Sequence, residues 1–169
     1  MTSSQQLTTN TKKKGSIVSR DAAVLRAVAK PVDPKDIGAK KIGNILNKMK
    51  EAVHTEDDGV AIAAPQIGES LRIFVVKGEA LALAKQSKSI KVNMELKDLV
   101  FINPEIIKTS RKKKKMEEGC LSVRWLYGEV ERFEKVTISA YDEFGNKSVL
   151  GASGLMAQIF QHEIDHLDG

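Results

Sequence analysis

The sequence predicts one domain that mixes helices and strands, and three observations carry that reading. Ile37, Ile42, Ile45, Leu46, Met49 and Val53 fall on one face of a helix, with lysines on the other. Val136, Ile138 and Ala140 alternate with Thr137, Ser139 and Tyr141, the period of a half-buried strand. Met156, Phe160, Ile164 and Leu167 then return to helical spacing near the end of the chain. A length of 169 residues makes a single domain the default and suffices for an ordinary hydrophobic core. No internal repeat divides it.

Composition narrows the function classes. With 41% apolar and 5% aromatic residues the chain reads as globular, and no apolar run is long enough to span a membrane. The N-terminus lacks the apolar region of a secretory signal. One cysteine precludes an intramolecular disulfide and suits a reducing compartment, so the expected location is cytoplasmic. The net charge of +5 is unevenly spread, because Lys12–Lys14 and Arg111–Lys115 hold eight of the 27 basic residues. Such runs are commonly solvated loops, and they also attract nucleic-acid phosphates. A transient ribosome contact through them is therefore an expectation; neither DNA nor a membrane is.

Taken in order, residues 1–16 are Ser, Thr, Gln, Asn and Lys with little apolar content, and read as a disordered extension to a domain over 17–169. Val24, Leu25 and Val28 precede Lys30-Pro31-Val32-Asp33-Pro34, an extended and turn-rich passage. Asp36 to His54 is expected as a helix, with His54 a surface residue at its C-terminal end. Small residues crowd Asp57 to Gly68 and permit close backbone approach. Within that stretch Gln66 either ties off a turn or holds its amide N–H groups toward a developing oxyanion. Leu71 to Val76 is a strand by β-branched content, and Glu79 to Lys91 a loop or short helix. Leu99 to Ile102 reads as a short strand stopped by Asn103-Pro104, with Glu105 to Ser110 a second. The strand Lys135 to Tyr141 turns through Asp142–Asn146 and returns over Lys147 to Leu150. Gly151–Gly154 then leads into the closing helix, with Ser153 in place to cap it.

The closing helix carries His162-Glu163-Ile164-Asp165-His166, an H-E-x-x-H pattern holding two of the chain's three histidines. At i and i+4 both imidazoles share a face and can reach one metal ion. Glu163 lies about 100° round from His162, where it can handle a proton over an open metal position without being a ligand. The plain alternative is a solvated helix face. A catalytic site of this kind needs a third protein ligand, and only Leu167, Asp168 and Gly169 follow His166, so the search runs backwards. Cys120 is the only thiol, and a thiolate suits zinc or iron. Glu118 competes for the same role, and a lone cysteine is otherwise a small buried hydrophobe.

Three separated stretches resemble one family in that family's order. Gly59-Val60-Ala61-Ile62-Ala63-Ala64-Pro65-Gln66 resembles the G-x-G-L-A-A-x-Q motif of peptide deformylases; Glu118–Ser122 matches their E-G-C-L-S, and Gln161–Leu167 their Q-H-E-x-D-H-L. An opening Val24-Leu25-Arg26 followed by Pro31-Val32 is also similar, so the resemblance covers about residues 20 to 169. It implies an α+β fold in which antiparallel sheets enclose the helix of His162 and His166. It implies hydrolytic removal of the N-formyl group from the initiator methionine of nascent peptides. Cys120, His162 and His166 would bind one divalent metal, usually iron(II), for which zinc or nickel can substitute. Glu163 would be general base and acid, and Gln66 and the Leu121 N–H the oxyanion donors. Substrate would pair along Gly59, Val60, Ala61 and Gly119, with Val60 and Leu121 facing the methionine side chain. Three departures from the family pattern bear on the site. Ala61 replaces a glycine, which a negative φ would tolerate. Arg124 replaces a proline after E-G-C-L-S, and Gln158 stands one turn before His162 where an apolar residue is usual. The alternatives are another metal-dependent amide hydrolase, and a non-catalytic ribosome- or RNA-associated relative.

Overall fold

The computed structural model describes residues 17–85 and 97–169. The expected disordered extension, and the part of the 79–91 segment beyond residue 85, lie outside them. Three helices and seven strands are present among the described residues: α1 (Lys40–His54), β1 (Ala61–Ala63), β2 (Ile73–Val76), α2 (Gly78–Lys85), β3 (Leu99–Thr109), β4 (Lys113–Cys120), β5 (Val123–Phe133), β6 (Lys135–Tyr141), β7 (Lys147–Ser153) and α3 (Gly154–Asp168). Strands β1-β2-β3-β6-β7 form one sheet in that order, and β4-β5 a separate two-stranded sheet, all antiparallel. The architecture is α+β, as the resemblance implies. No helix among the described residues is long and apolar enough to cross a membrane.

The central sheet is covered on both faces where it meets the helices, and this follows from period two. In β2, Phe74 and Val76 enter the core around α3 with Phe101, Met156, Phe160 and Leu167. Ile73 and Val75 face the opposite way and join Ile42, Ile45, Leu46, Met49 and Val53 of α1. All four are completely buried, which explains why Ile-Phe-Val-Val shows no polar alternation. The rings of Phe74, Phe101 and Phe160 meet at centroid distances of 4.6, 5.1 and 5.9 Å and seat the metal-motif helix on the sheet.

Four expectations need correction. The first helix begins at Lys40, because Pro34–Asp36 form a separate 3-10 turn in which the Asp33 carboxylate accepts the Lys35 N–H at 3.0 Å. Asn103-Pro104 does not stop β3. Asn103 takes the left-handed conformation (φ 51°), and its side chain accepts the Val32 N–H at 2.8 Å and donates to the Val32 carbonyl at 2.7 Å. The ladder shifts register between Ile102 and Glu105, so the strand continues past the missing proline N–H. The basic run is not a loop: its last three lysines open β4, where Lys113 and Lys115 face Glu131 and Glu129 of β5 at 3.1 and 3.4 Å. Ser153 occupies the N-cap position of α3 with no side-chain cap bond. His54 ends α1 and pairs with Asp98 at 2.9 Å, a surface role as expected.

Candidate metal centre and cleft

The closing helix and the end of β4 build the centre. Burial of Met156, Phe160, Ile164 and Leu167 turns the other face of α3, with His162 and His166, toward Cys120. One donor atom each of Cys120, His162 and His166 lies within 4.8 Å of the others. Cys120 Sγ is 3.2 Å from His166 Nε2, and the two imidazole rings meet nearly edge to face at 5.0 Å.

Glu118 is not a fourth donor. Its Oε2 lies 2.9 Å from His162 Nδ1, and both its oxygens accept from Arg132, each at 2.8 Å. Arg132 in turn donates to Asp165 at 2.5 Å. The chain Asp165–Arg132–Glu118–His162 fixes the ring so that Nε2 is the nitrogen left for a ligand. Glu118 and Arg132 side chains are only 8% and 9% exposed, so each depends on the other for its charge. Neither Arg132 nor the role of Glu118 was legible from residue types, since the pair forms between β5 and β4, 14 residues apart.

Protons follow from this packing. Burial pushes the Cys120 thiol up, but hydrogen bonds from His162 and His166 outweigh it and bring it down to about 6. Burial opposes a proton on His162, yet the bonds to Cys120 and Glu118 raise it to about 10. The carboxyl of Glu118, desolvated but held by Arg132 and His162, falls to about 2. Burial raises Glu163, against the pull of the two histidines. The metal-free cluster is thus a thiolate beside imidazolium.

A thiolate and two imidazoles at these distances suit zinc or iron, so the donor set fits one divalent ion. Glu163 fits as well. It is 4% exposed, and its Oε2 is buried without a hydrogen-bond partner among the described residues. Gln66, 1% exposed, ties off a turn. Its Oε1 accepts the Ala63 N–H at 2.9 Å and closes a 3-10 turn, which leaves Nε2 pointing at Cys120 Sγ (3.6 Å) and Ser122 Oγ (3.3 Å).

These groups open into a cleft of about 640 Å³ whose lining includes Gly59, Val60, Ala61, Gln66, Gly119, Cys120, Leu121, His162 and Glu163. Ala61 has no positive φ, so its methyl sits in β1 without backbone strain. Gly59 has less freedom: a Cβ there would stand 3.1 Å from the Val53 carbonyl and 3.4 Å from Leu121 Cδ1. Gln158 also lines the cleft and donates to the Glu117 carbonyl at 2.9 Å, tying α3 to β4.

Replacing Arg132 with Leu is expected to destabilise the protein by about 3–5 kcal/mol, because a buried carboxylate is stranded. It should also weaken metal binding about 10–100-fold through the loosened His162 ring. Urea unfolding and chelator competition measure the two effects. Wild-type values in both would remove Arg132 from the account.

Comparison with known proteins agrees with this geometry. The sequence model of the polypeptide deformylase family matches residues 15–169. Peptide deformylase 1A, chloroplastic/mitochondrial, of Arabidopsis thaliana is 39% identical over 156 residues; the match takes in 90% of this chain, which spans 58% of that protein's length. Peptide deformylase of Carboxydothermus hydrogenoformans is 41% identical over 147 residues, 86% of this chain and 82% of that one. The crystal structure of a class I type b peptide deformylase from Acinetobacter baumannii with Met-Ala-Ser bound superposes with a TM-score of 0.75 at 30% identity, covering 90% of this chain and 91% of that chain.

Proposed function

The chain belongs to the polypeptide deformylase family, and we propose that it hydrolyses the N-formyl group from the methionine at the start of nascent peptides. One observation carries the reading: a Cys-His-His donor set shares its cleft with Glu163, whose buried carboxylate has an oxygen without a partner. We assign the activity to a single catalytic domain over 17–169.

Cys120, His162 and His166 would hold one divalent metal ion, which would supply Lewis acidity toward the formyl carbonyl and toward water. Iron(II) is the working ion on the family resemblance, with zinc or nickel able to take its place in a purified sample. Every other step belongs to groups of this chain. Glu163 accepts the proton of the attacking water through its unpartnered oxygen and then returns it to the leaving amine. Burial, which raises its pKa, helps it keep that proton between the two transfers. The Gln66 Nε2 group, oriented by the bond from Ala63 N–H to Oε1, donates to the developing oxyanion, with the Leu121 N–H as second donor. Glu118 and Arg132 hold His162 in the tautomer that ligates.

The peptide lies along β1, an edge strand of the five-stranded sheet, between Gly59–Ala61 and Gly119, with Val60 and Leu121 against the methionine side chain. The half-buried, unpaired Cys120 suits a reducing cytoplasm. Ribosome contact through Arg111–Lys115 is weakened as a proposal, since Glu131 and Glu129 already face two of its lysines.

The test is release of formate from formyl-Met-Ala-Ser by protein prepared without oxygen and loaded separately with iron(II) and zinc. Turnover with either ion supports the reading. Cleavage of internal peptide bonds with formyl peptides left intact would replace it with the general amide hydrolase.

A further inference from the structure

The cleft lined by Cys120 and His162 also takes in the loop after α1 and the tip of the β4–β5 hairpin, so a peptide held there by its formyl group carries its later residues out between two walls. One wall is the loop after α1, with Glu56, Asp57 and Asp58; the other is the tip of the β4–β5 hairpin, with Arg124. Arg124 Nη2 reaches across to Glu56 Oε2 at 2.5 Å and joins the walls.

The two partners are unequal. The Glu56 side chain is 15% exposed and that of Arg124 49%. Glu56 is anchored from behind, because its carbonyl accepts from the buried Lys77 Nζ at 2.8 Å and from the Gly59 N–H at 3.2 Å. A fixed carboxylate thus orients a solvated guanidinium that has five N–H donors. Asp57 and Asp58 are exposed on the same wall and leave the mouth negative once Glu56 and Arg124 have cancelled. Without Arg124, a substrate carboxylate would meet three like charges. With it, that carboxylate can take the guanidinium donors not used by Glu56.

We propose that Arg124, oriented by Glu56, is a specificity-determining residue that admits acidic side chains at the positions following the formyl-methionine. This rests on the deformylase reading above. A basic side chain needs no such help, since Asp57 and Asp58 attract it; Arg124 therefore narrows a bias toward basic substrates.

The experiment compares kcat/KM of the metal-loaded enzyme for formyl-Met-Glu-Glu-Ser and formyl-Met-Lys-Lys-Ser and follows their ratio. Arg124→Gln should lower the Glu-to-Lys ratio about fivefold, mainly through KM, and Glu56→Gln should raise it by a similar factor. Arg124→Lys should restore most of the ratio, and high salt should shrink every difference. Wild-type turnover with a ratio unmoved in both Gln variants would overturn the proposal and leave the deformylase reading standing. A ratio that shifts the same way in both would also overturn it, because loosened walls would then be the cause and charge would not. No formate from either peptide with metal fully bound would sink the deformylase reading itself, and the charge filter with it.

Discussion

Glu163→Gln should abolish deformylation while leaving the metal in place. The substitution keeps the shape of a side chain that is 4% exposed, so α3 and the donors on either side of Glu163 stay where they are. It removes the carboxylate proposed to take a proton from water and return it to the amine. Loss of a general base typically costs about 10²–10⁴ in rate, and a residue acting as both base and acid belongs at the upper end. Metal content by mass spectrometry and turnover of formyl-Met-Ala-Ser are the two readouts. Metal lost along with activity would make Glu163 a ligand, and activity kept would give its role to another group.

The same variant should stabilise the metal-free protein. Burial raises the Glu163 pKa above its ordinary 4.5. A group raised in the folded state contributes stability below its unfolded pKa and loses it as pH rises through the folded one. Wild type therefore carries a penalty at neutral and higher pH that the amide lacks. Metal-free Glu163→Gln should melt higher than wild type at pH 8, with the gap closing toward pH 4. The reverse order would mean that the carboxylate is well paired in the folded protein.

Cys120→Ser should lower metal affinity by more than about 100-fold, beyond what loss of an outer partner produces, and activity should fall with it. A hydroxyl is a poor substitute for a thiolate whose pKa the two histidines already hold near 6. The pH dependence carries a second signature. Between about 6 and about 10 the thiol is ionised while His162 keeps its proton, so a metal must displace at least that proton. Wild-type affinity should then climb with pH across this range, the raised His166 adding to the dependence, and more steeply below it, where the thiol must ionise too. In the serine variant the thiolate that helps raise His162 is gone, and the dependence should flatten. Chelator competition at three pH values decides it. Unchanged affinity and slope would remove Cys120 from the centre.

Helix α3 was legible because its apolar spacing, its two histidines and its glutamate are local facts, and local spacing fixes which residues share a face. The strand Lys135–Tyr141 was legible for the same reason, and so was its return from Lys147, which runs on to Ser153 where Gly151 read as the start of a connection. The hairpin β4–β5 was not, because Lys-Lys-Lys-Met-Glu-Glu-Gly-Cys carries no apolar alternation; it is held by its ladder and by Arg132 against Glu118 and Asp165. Asn103-Pro104 misled for a different reason. A proline normally ends a strand, and only the contact with Val32, 71 residues away, shows how this one is bypassed.

By itself, then, the sequence determined the donor types, the spacing that puts two imidazoles on one helix face, and three motifs specific enough to name a family. Tertiary structure decided what each polar group does there. It turned Glu118 from a candidate ligand into the support of His162, 44 residues on, and brought in Arg132. It aimed the Gln66 amide at Cys120 across 54 residues and joined Arg124 to Glu56 over the cleft mouth. Periodicity records which side chains share a face, whereas a buried charge such as Glu118 is defined by its partners, and those arrive from β5 and α3.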